Sequence, residues 1–344
     1  MNKINCAITG ATGFIGSHFI EHYLKNTDWN LIVLDKLSYA SQGYDRIRDI
    51  GCYKENQDRV KFFSCDLTLP ISDGIKQEIG NVDYIINLAS ESHVDNSISN
   101  PVPFIQNNVN LTLNLLEWAR ELKELKKFVQ FSTDEVYSTA PVGTNYKEGD
   151  RHNPGNPYSA SKSAQESICR AYSNTYKLPI IITNTMNVVG ERQHMEKFVP
   201  MIIRKTLNGD VVTIHSNKDK TKAGSRFYIH ARNVADAVLY LLNNNSELMD
   251  NIDASKGQFN IVGEKELDNL ELAKIISSFT GKELKYEMVD FHSSRPGHDL
   301  RYGLNGDKLK SLGFNYHNNL EESLKKTVEW YLKDENKKWL YEKS

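Results

Sequence analysis

The sequence predicts an α/β fold: a doubly wound parallel sheet followed by a smaller C-terminal α/β lobe. Three observations predict it. In the first half, continuous apolar runs of strand length alternate with amphipathic helical segments, as a parallel sheet covered on both faces requires. The stretch "TGATGFIG", from Thr9 to Gly16, joins the first run to the first helix through glycines spaced G-x-x-G-x-x-G. Past about residue 186 the alternation loosens while helical periodicity persists, and 344 residues are enough for two lobes.

The elements follow in order. "INCAITG" (4–10) is a short apolar strand, and "FIGSHFIEHYLKN" (14–26) has helical periodicity. "NLIVLD" (30–35), "VKFFSCD" (60–66) and "VDYIINLA" (82–89) are the second, third and fourth strands. The segment 103–125 reads as a long helix, "KKFVQFST" (126–133) as the fifth strand, 158–176 as a helix and "LPIIITNT" (178–185) as the sixth strand. Residues 196–209, 234–245, 269–282 and 320–340 read as later helices, and the polar stretch 243–257 as a surface loop. This divides the chain into residues 1–185 and a lobe of 186–344 that folds over the carboxyl ends of the strands. A segment near 227–245 is expected to return to the first unit.

Composition narrows the function. Hydrophobic content of 39% and charged content of 25% describe a globular protein with a substantial core. A formal net charge of -2 gives no electrostatic reason to expect nucleic acid or an anionic membrane as partner. No stretch approaches the roughly 20 apolar residues of a spanning helix. Cys6, Cys52, Cys65 and Cys169 show no ligand spacing, and the ten histidines show no H-x-x-x-H, so no metal centre is expected. The thiols read as reduced and mostly buried, in a cytoplasmic protein.

Glycines at 10, 13 and 16, after a strand and opening a helix, let backbone approach a pyrophosphate, and the N–H groups around Phe14 and Ile15 face it. The expectation is a Rossmann-like unit. Asp35, ending the second strand, can accept from both ribose hydroxyls of an adenosine and would repel a 2′-phosphate, which favours NAD over NADP. Lys36 follows it. Asp66, with Leu67 beside it, ends the third strand, where it can meet the adenine amino group. "YSASK" places Tyr158 and Lys162 one turn apart on a helix face. A tyrosine is a weak base at neutral pH, and a neighbouring ammonium or a cationic nicotinamide favours its phenolate.

These motifs together resemble the extended short-chain dehydrogenase/reductases that act on nucleotide sugars. "STDEVYS" (132–138), "LASESHVDNSI" (88–98) and "RPGHDLRY" (295–302) are similar to motifs of the nucleotide-sugar 4,6-dehydratase family within that group, over roughly residues 3 to 335. The resemblance implies bound NAD and a nucleotide hexose, with dTDP-glucose leading and UDP-glucose open. It assigns Thr133, Asp134, Glu135, Tyr158 and Lys162 to the reaction. Thr133 and Tyr158 act at the carbon 4 hydroxyl, Glu135 takes the carbon 5 proton, and Asp134 protonates the departing carbon 6 hydroxyl. Adjacent carboxylates in a half-buried cleft can split their pKa values to fill those two roles.

The resemblance also implies cofactor contacts from Leu88, Ala89 and Ser90. Substrate contacts are implied for Ser92, His93, Asn187, Lys197, Arg226, Arg295 and His298. A homodimer through helices 103–125 and 158–176 is implied as well. "GERQH" (190–194) departs from the family's turn, leaving Arg192 and His194 as polar groups without a role. Lys218, Lys220 and Lys222 read as a solvated loop. A 4-epimerase, a 5,6-dehydratase and an inactive NAD-sensing protein on the same scaffold stay open.

Overall fold

The computed structural model describes residues 3–38, 41–244, 257–290 and 301–341. The first half runs β1 (Asn5–Thr9), α1 (Phe14–Asn26), β2 (Asn30–Asp35), α2 (Asp45–Arg48), β3 (Val60–Ser64), α3 (Asp73–Ile79), β4 (Tyr84–Asn87), α4 (Val94–Ser99), α5 (Pro101–Glu121), β5 (Lys127–Thr133), α6 (Pro157–Tyr176) and β6 (Ile180–Thr185). The second half runs β7 (Asn187–Val189), α7 (Phe198–Asn208), β8 (Val212–Ser216), β9 (Ser225–His230), α8 (Ala231–Asn243), β10 (Gln258–Ile261), β11 (Glu266–Asp268), α9 (Asn269–Thr280), β12 (Tyr286–Asp290), α10 (Asp307–Ser311) and α11 (Leu320–Leu332).

Seven parallel strands form the central sheet in the order β10-β6-β5-β4-β1-β2-β3. The six strands read from sequence are all in it. The chain leaves β1 towards β2 and β3, then returns to β4 on the other side. The crevice at the carboxyl ends of β1 and β4 is therefore the topological switch point, where ligands bind in this class of sheet.

The sheet is apolar on both faces because both are covered. One face buries Phe19, Tyr23 and Leu24 of α1 and Val234, Val238 and Leu241 of α8. The other buries Leu111, Leu115 and Trp118 of α5 and Cys169 of α6. At ~25 cal/mol per Å² of apolar surface, each fully buried large side chain contributes roughly 1.5–3 kcal/mol. A separate apolar cluster joins α7, β8, α9 and α11 through Ile202, Ile214, Leu272 and Leu324.

The seventh strand, β10, pairs with β6 and was not legible as a strand. β11, β9 and β7 make a small mixed sheet, and β12 pairs with β8. The closing helix ends at Leu332, earlier than its periodicity suggests, and a 3-10 turn follows over Asp334–Trp339. Most of the polar 243–257 stretch lies outside the described residues. Cys6 and Cys169 are buried, Cys52 and Cys65 half-buried, and all four are free. Among the described residues no helix is long and apolar enough to cross a membrane.

Candidate active site

A cleft of about 640 Å³ runs along the carboxyl edge of the sheet from the glycine loop to β9. That volume lies in the range of small-molecule sites. Every predicted site residue among those described lines it: the glycine loop and the 88–90 segment at one end, Asn187, Lys197 and Arg226 at the other, and the 133–135 cluster with Tyr158 between. Arg295 and His298 lie outside the described residues.

At the first end, Gly10 has φ +64, and a Cβ there would meet Ala89 Cα at 2.8 Å. A Cβ on Gly16 would meet Ala11 Cα and the Gly10 carbonyl oxygen at 2.5 Å. Only glycine allows β1, α1 and β4 to converge this closely. Gly13 caps α1 without a side-chain hydrogen bond, so the helix begins with N–H groups directed at the cleft. Asp35 is buried; its Oδ2 accepts from Thr12 N at 3.1 Å and its Oδ1 from Leu37 N at 2.9 Å. Asp66 accepts from Thr68 N and Thr68 Oγ1, and the backbone donation holds its carboxyl below the usual value. Lys36 does not follow Asp35 into the cleft as a free cation. Its Nζ is tied to Glu91 Oε1 at 3.0 Å and Asn107 Oδ1 at 2.9 Å. A cradle that a Cβ would fill, an uncapped helix start and a carboxylate at the end of β2 fit a dinucleotide such as NAD.

The central cluster is built by the end of β5. Thr133 ends the strand and caps the following 3-10 turn, accepting from Glu135 N at 3.4 Å. The turn sends consecutive carboxylates into different surroundings. Asp134 is buried, takes the Thr133 hydroxyl on Oδ1 at 3.1 Å, and leaves Oδ2 without a hydrogen-bond partner. Burial, then the Glu135 charge, push its pKa up to about 7, while Arg226 and the Thr133 bond pull the other way. Glu135 is half-buried, and Asn156 Nδ2 donates to its Oε2 at 3.3 Å.

Asn156, Pro157 and Tyr158 explain how α6 is aimed. Asn156 forms a capping box with Ser159, and Pro157 occupies the first turn, where its missing N–H costs nothing. Tyr158 therefore enters the cleft at the helix start, hydrogen-bonded with Thr133. The expected support of a Tyr158 phenolate by Lys162 is not what the protein alone provides. Burial, then Glu135 and Asp134, raise the phenol well above its ordinary value. Lys162 Nζ instead donates to the Phe131 carbonyl at 2.7 Å, and burial brings its pKa down to about 8. Burial, together with the two neighbouring carboxyl groups, favours the neutral phenol in the protein without ligand.

At the far end, Arg226 is buried on β9 with its guanidinium 4.5 Å from the Tyr302 ring centroid. Lys197 stands immediately before α7 without a side-chain capping bond, and His93 caps α4 by accepting from Asn96 N. Ser92 lines the wall between. Arg192 is not a surface group: it is buried, and Nη2 pairs with Glu21 Oε2 at 2.5 Å. His194 does line the cleft, and Lys218, Lys220 and Lys222 are exposed outside it.

Among the described residues, His18, Glu191 and His230, none of them singled out in the sequence, lie with ligand atoms within 4.8 Å of one another, close enough to hold a metal. Arg232 N–H donates to His230 Nδ1, and Arg192 Nη2 faces His18 Nδ1 at 3.4 Å. With these bonds the Nε2 atoms of His230 and His18 face Glu191, at its Oε2 and its carbonyl oxygen. Sequence reading missed Asn156, whose signal was Asn-Pro before a helix, and Tyr302, the last residue of "RPGHDLRY".

Sheet, glycine loop and Tyr-Lys helix define the class: an extended short-chain dehydrogenase/reductase fold. Residues 6–261 match the NAD dependent epimerase/dehydratase family, and the chain belongs to that family. A dTDP-glucose 4,6-dehydratase of Escherichia coli is 32% identical over 353 residues, covering 96% of this chain and 93% of its own length. The crystal structure of DesIV, a dTDP-glucose 4,6-dehydratase from Streptomyces venezuelae solved with NAD bound, is similar with a TM-score of 0.82 and 31% identity, over 98% of each chain. A UDP-glucose 4-epimerase of Thermus thermophilus, also in complex with NAD, is 26% identical with a TM-score of 0.81, over 95% of this chain and 98% of that one.

Proposed function

We propose that the chain is an NAD-dependent nucleotide-sugar 4,6-dehydratase whose substrate is dTDP-glucose. The observation that carries the reading is Asp134, a buried carboxyl near neutrality beside Glu135, at the strand tip that also presents Thr133 to Tyr158. A 4-epimerase needs no acid at carbon 6, and a buried Asp134 with a raised pKa supports the dehydratase instead.

Gly10, Gly13, Gly16 and the start of α1 would hold the pyrophosphate of NAD, Asp35 its adenosine ribose, Asp66 its adenine and Lys162 its second ribose. Bound NAD supplies a hydride acceptor for carbon 4, a positive ring charge beside Tyr158 and, after elimination, the hydride returned to carbon 6. Tyr158 takes the proton of the carbon 4 hydroxyl, and Thr133 donates to that oxygen. The resulting ketone acidifies carbon 5, whose proton Glu135 accepts, and carbon 5 is reprotonated when carbon 6 receives the hydride. Asp134 protonates the carbon 6 hydroxyl as it leaves as water. Asn187, Lys197 and Arg226 hold the sugar diphosphate through donors suited to anionic oxygens.

The division into residues 1–185 and 186–344, with return of the 227–245 segment, belongs to the same reading and is supported by the packing of α8 on α1. So does a homodimer through α5 and α6, supported by exposed Val102 and Ile105 on α5 and Tyr176 on α6. Light scattering of the eluted protein tests it; a mass of one chain would exclude it.

The test of function is mass spectrometry of dTDP-glucose, UDP-glucose, UDP-GlcNAc, CDP-glucose and GDP-mannose after incubation with protein and NAD. Loss of one water from dTDP-glucose without net NADH is expected. Unchanged masses throughout would refute the reading, and water loss from another member alone would reassign the nucleotide.

A further inference from the structure

Glu166 lies on α6 four residues after Lys162 and is fully buried. Its Oε1 accepts from Ser132 Oγ at 2.6 Å and Asn184 Nδ2 at 2.7 Å. Its Oε2 accepts from Arg170 Nη2 at 2.9 Å and Gln258 Nε2 at 3.2 Å, with His152 Nε2 at 3.4 Å. The donors come from β5, β6, β10 and α6 itself. Asn184 Nδ2 also donates to the Thr133 carbonyl at 3.2 Å. One carboxylate thus ties the tips of β5 and β6 to the helix that carries Tyr158 and Lys162.

A buried carboxylate of this kind persists only when charge and donors compensate it. Arg170 supplies one full charge on the solvent side. His152 contributes little charge, because burial lowers its pKa below the ordinary value. Tyr137 and Cys169 are neutral neighbours, both pushed up by burial and then by Glu166. Lys162 is the remaining cation, on the cleft side. Burial works against its charge, and Glu166 is the main influence sustaining it.

We propose that Glu166 is a positioning residue for the reaction centre: it clamps Thr133 at the tip of β5 against α6 and places its carboxylate one helical turn from the Lys162 ammonium. The proposal rests on the dehydratase reading for its effect on turnover, but not for its effect on Lys162.

The sign follows from electrostatics. Without the Glu166 charge, Lys162 loses its proton at lower pH, so the basic limb of a rate profile moves down in pH. Loss of a nearby opposite charge moves such a group by about one pH unit or more. The experiment compares wild type, Glu166→Gln and Glu166→Asp, as full chains with bound NAD. One readout is the titration of Lys162 by NMR of protein labelled at the lysine ε-carbon, with the signal assigned through Lys162→Arg. The other is kcat against pH. In Glu166→Gln both the Lys162 midpoint and the basic limb should fall by about one pH unit; Glu166→Asp should restore both.

A uniform loss of kcat with an unmoved Lys162 titration would overturn the proposal and leave Glu166 a packing group. If Glu166→Gln does not fold, the wild-type titration decides: a Lys162 midpoint below about 7 would mean that no charge is being sustained, the carboxylate influence in buried pairs being of that order. A wild type that turns over no nucleotide sugar would sink the dehydratase reading, while the NMR titration would still test Glu166.

Discussion

Asp134→Asn separates the acid from its surroundings, and its effect can be worked out from burial alone. The carboxyl of Asp134 titrates at about 7 in the fold against 3.8 ordinarily, chiefly because it is buried. Below pH ~4 the group is protonated in folded and unfolded chains alike and imposes no charge penalty. Between the two values the unfolded chain ionises and the folded chain does not, so stability falls as pH rises. Above the folded value the full penalty applies, about 4 kcal/mol at ~1.36 kcal/mol per pH unit.

Asparagine cannot ionise and lacks this dependence. The stability of Asp134→Asn relative to wild type should therefore rise by about 2–3 kcal/mol between pH 5 and pH 8. Urea unfolding followed by circular dichroism at the two pH values measures it. The same variant should oxidise carbon 4 and accumulate NADH at 340 nm while losing water elimination by roughly 10²–10⁴-fold. An equal stability difference at both pH values would refute the reasoning, because Asp134 would then be ionised in the fold at neutrality.

Three further outcomes follow from the geometry. Glu135→Gln should lower dehydration roughly 10²–10⁴-fold with NAD binding intact, read as loss of deuterium uptake at carbon 5 from D₂O; dehydration at the wild-type rate would place the base elsewhere. Gly10→Ala puts a Cβ 2.8 Å from Ala89 Cα at φ +64, so the protein should lose both melting temperature and NAD retention on purification; normal values of both would mean the loop has room. Asp35→Ala strips an acceptor from Thr12 N and Leu37 N and should weaken NAD binding by about 1–3 kcal/mol in calorimetry, with a smaller loss for NADP.

What was legible and what was not divides along physical lines. The strands that bury apolar residues on both faces announce themselves; β10 does not, because Gln258 and Asn260 occupy half of its four positions. Both are buried: Gln258 Nε2 donates to Asn184 Oδ1 and Glu166, and Asn260 Nδ2 to the carbonyls of Tyr146 and Asn305, while Asn260 Oδ1 has no hydrogen-bond partner. A strand that serves a hydrogen-bond network carries the composition of a loop. Arg192 had no readable role for a similar reason: its partner, Glu21, is distant in sequence. The reaction cluster was legible because its members are contiguous or one helical turn apart. Asn156, two residues before Tyr158, and Glu166, one turn after Lys162 on the same helix, went unread because the groups they hold lie on other elements: Glu135 for Asn156, and Ser132 and Asn184 for Glu166.

The adjacency of Thr133, Asp134 and Glu135 also links substrate binding to acid strength. A threonine hydroxyl has one proton, and here Asp134 Oδ1 receives it. That bond lowers the Asp134 pKa against burial. In the proposed reaction Thr133 must donate to the carbon 4 oxygen, so its proton leaves Asp134. The acid is then more strongly neutral when a sugar is in place, which is when it has to deliver a proton to carbon 6. Thr133→Val isolates this coupling, since valine keeps the shape and removes the donor. With Asp134 undonated, its folded value should rise further, and the variant should lose more stability than wild type between pH 5 and pH 8 in the same unfolding assay. An unchanged or smaller loss would show that the Thr133 proton does not control the acid, and the timing of protonation would have to come from Arg226 or from the substrate itself.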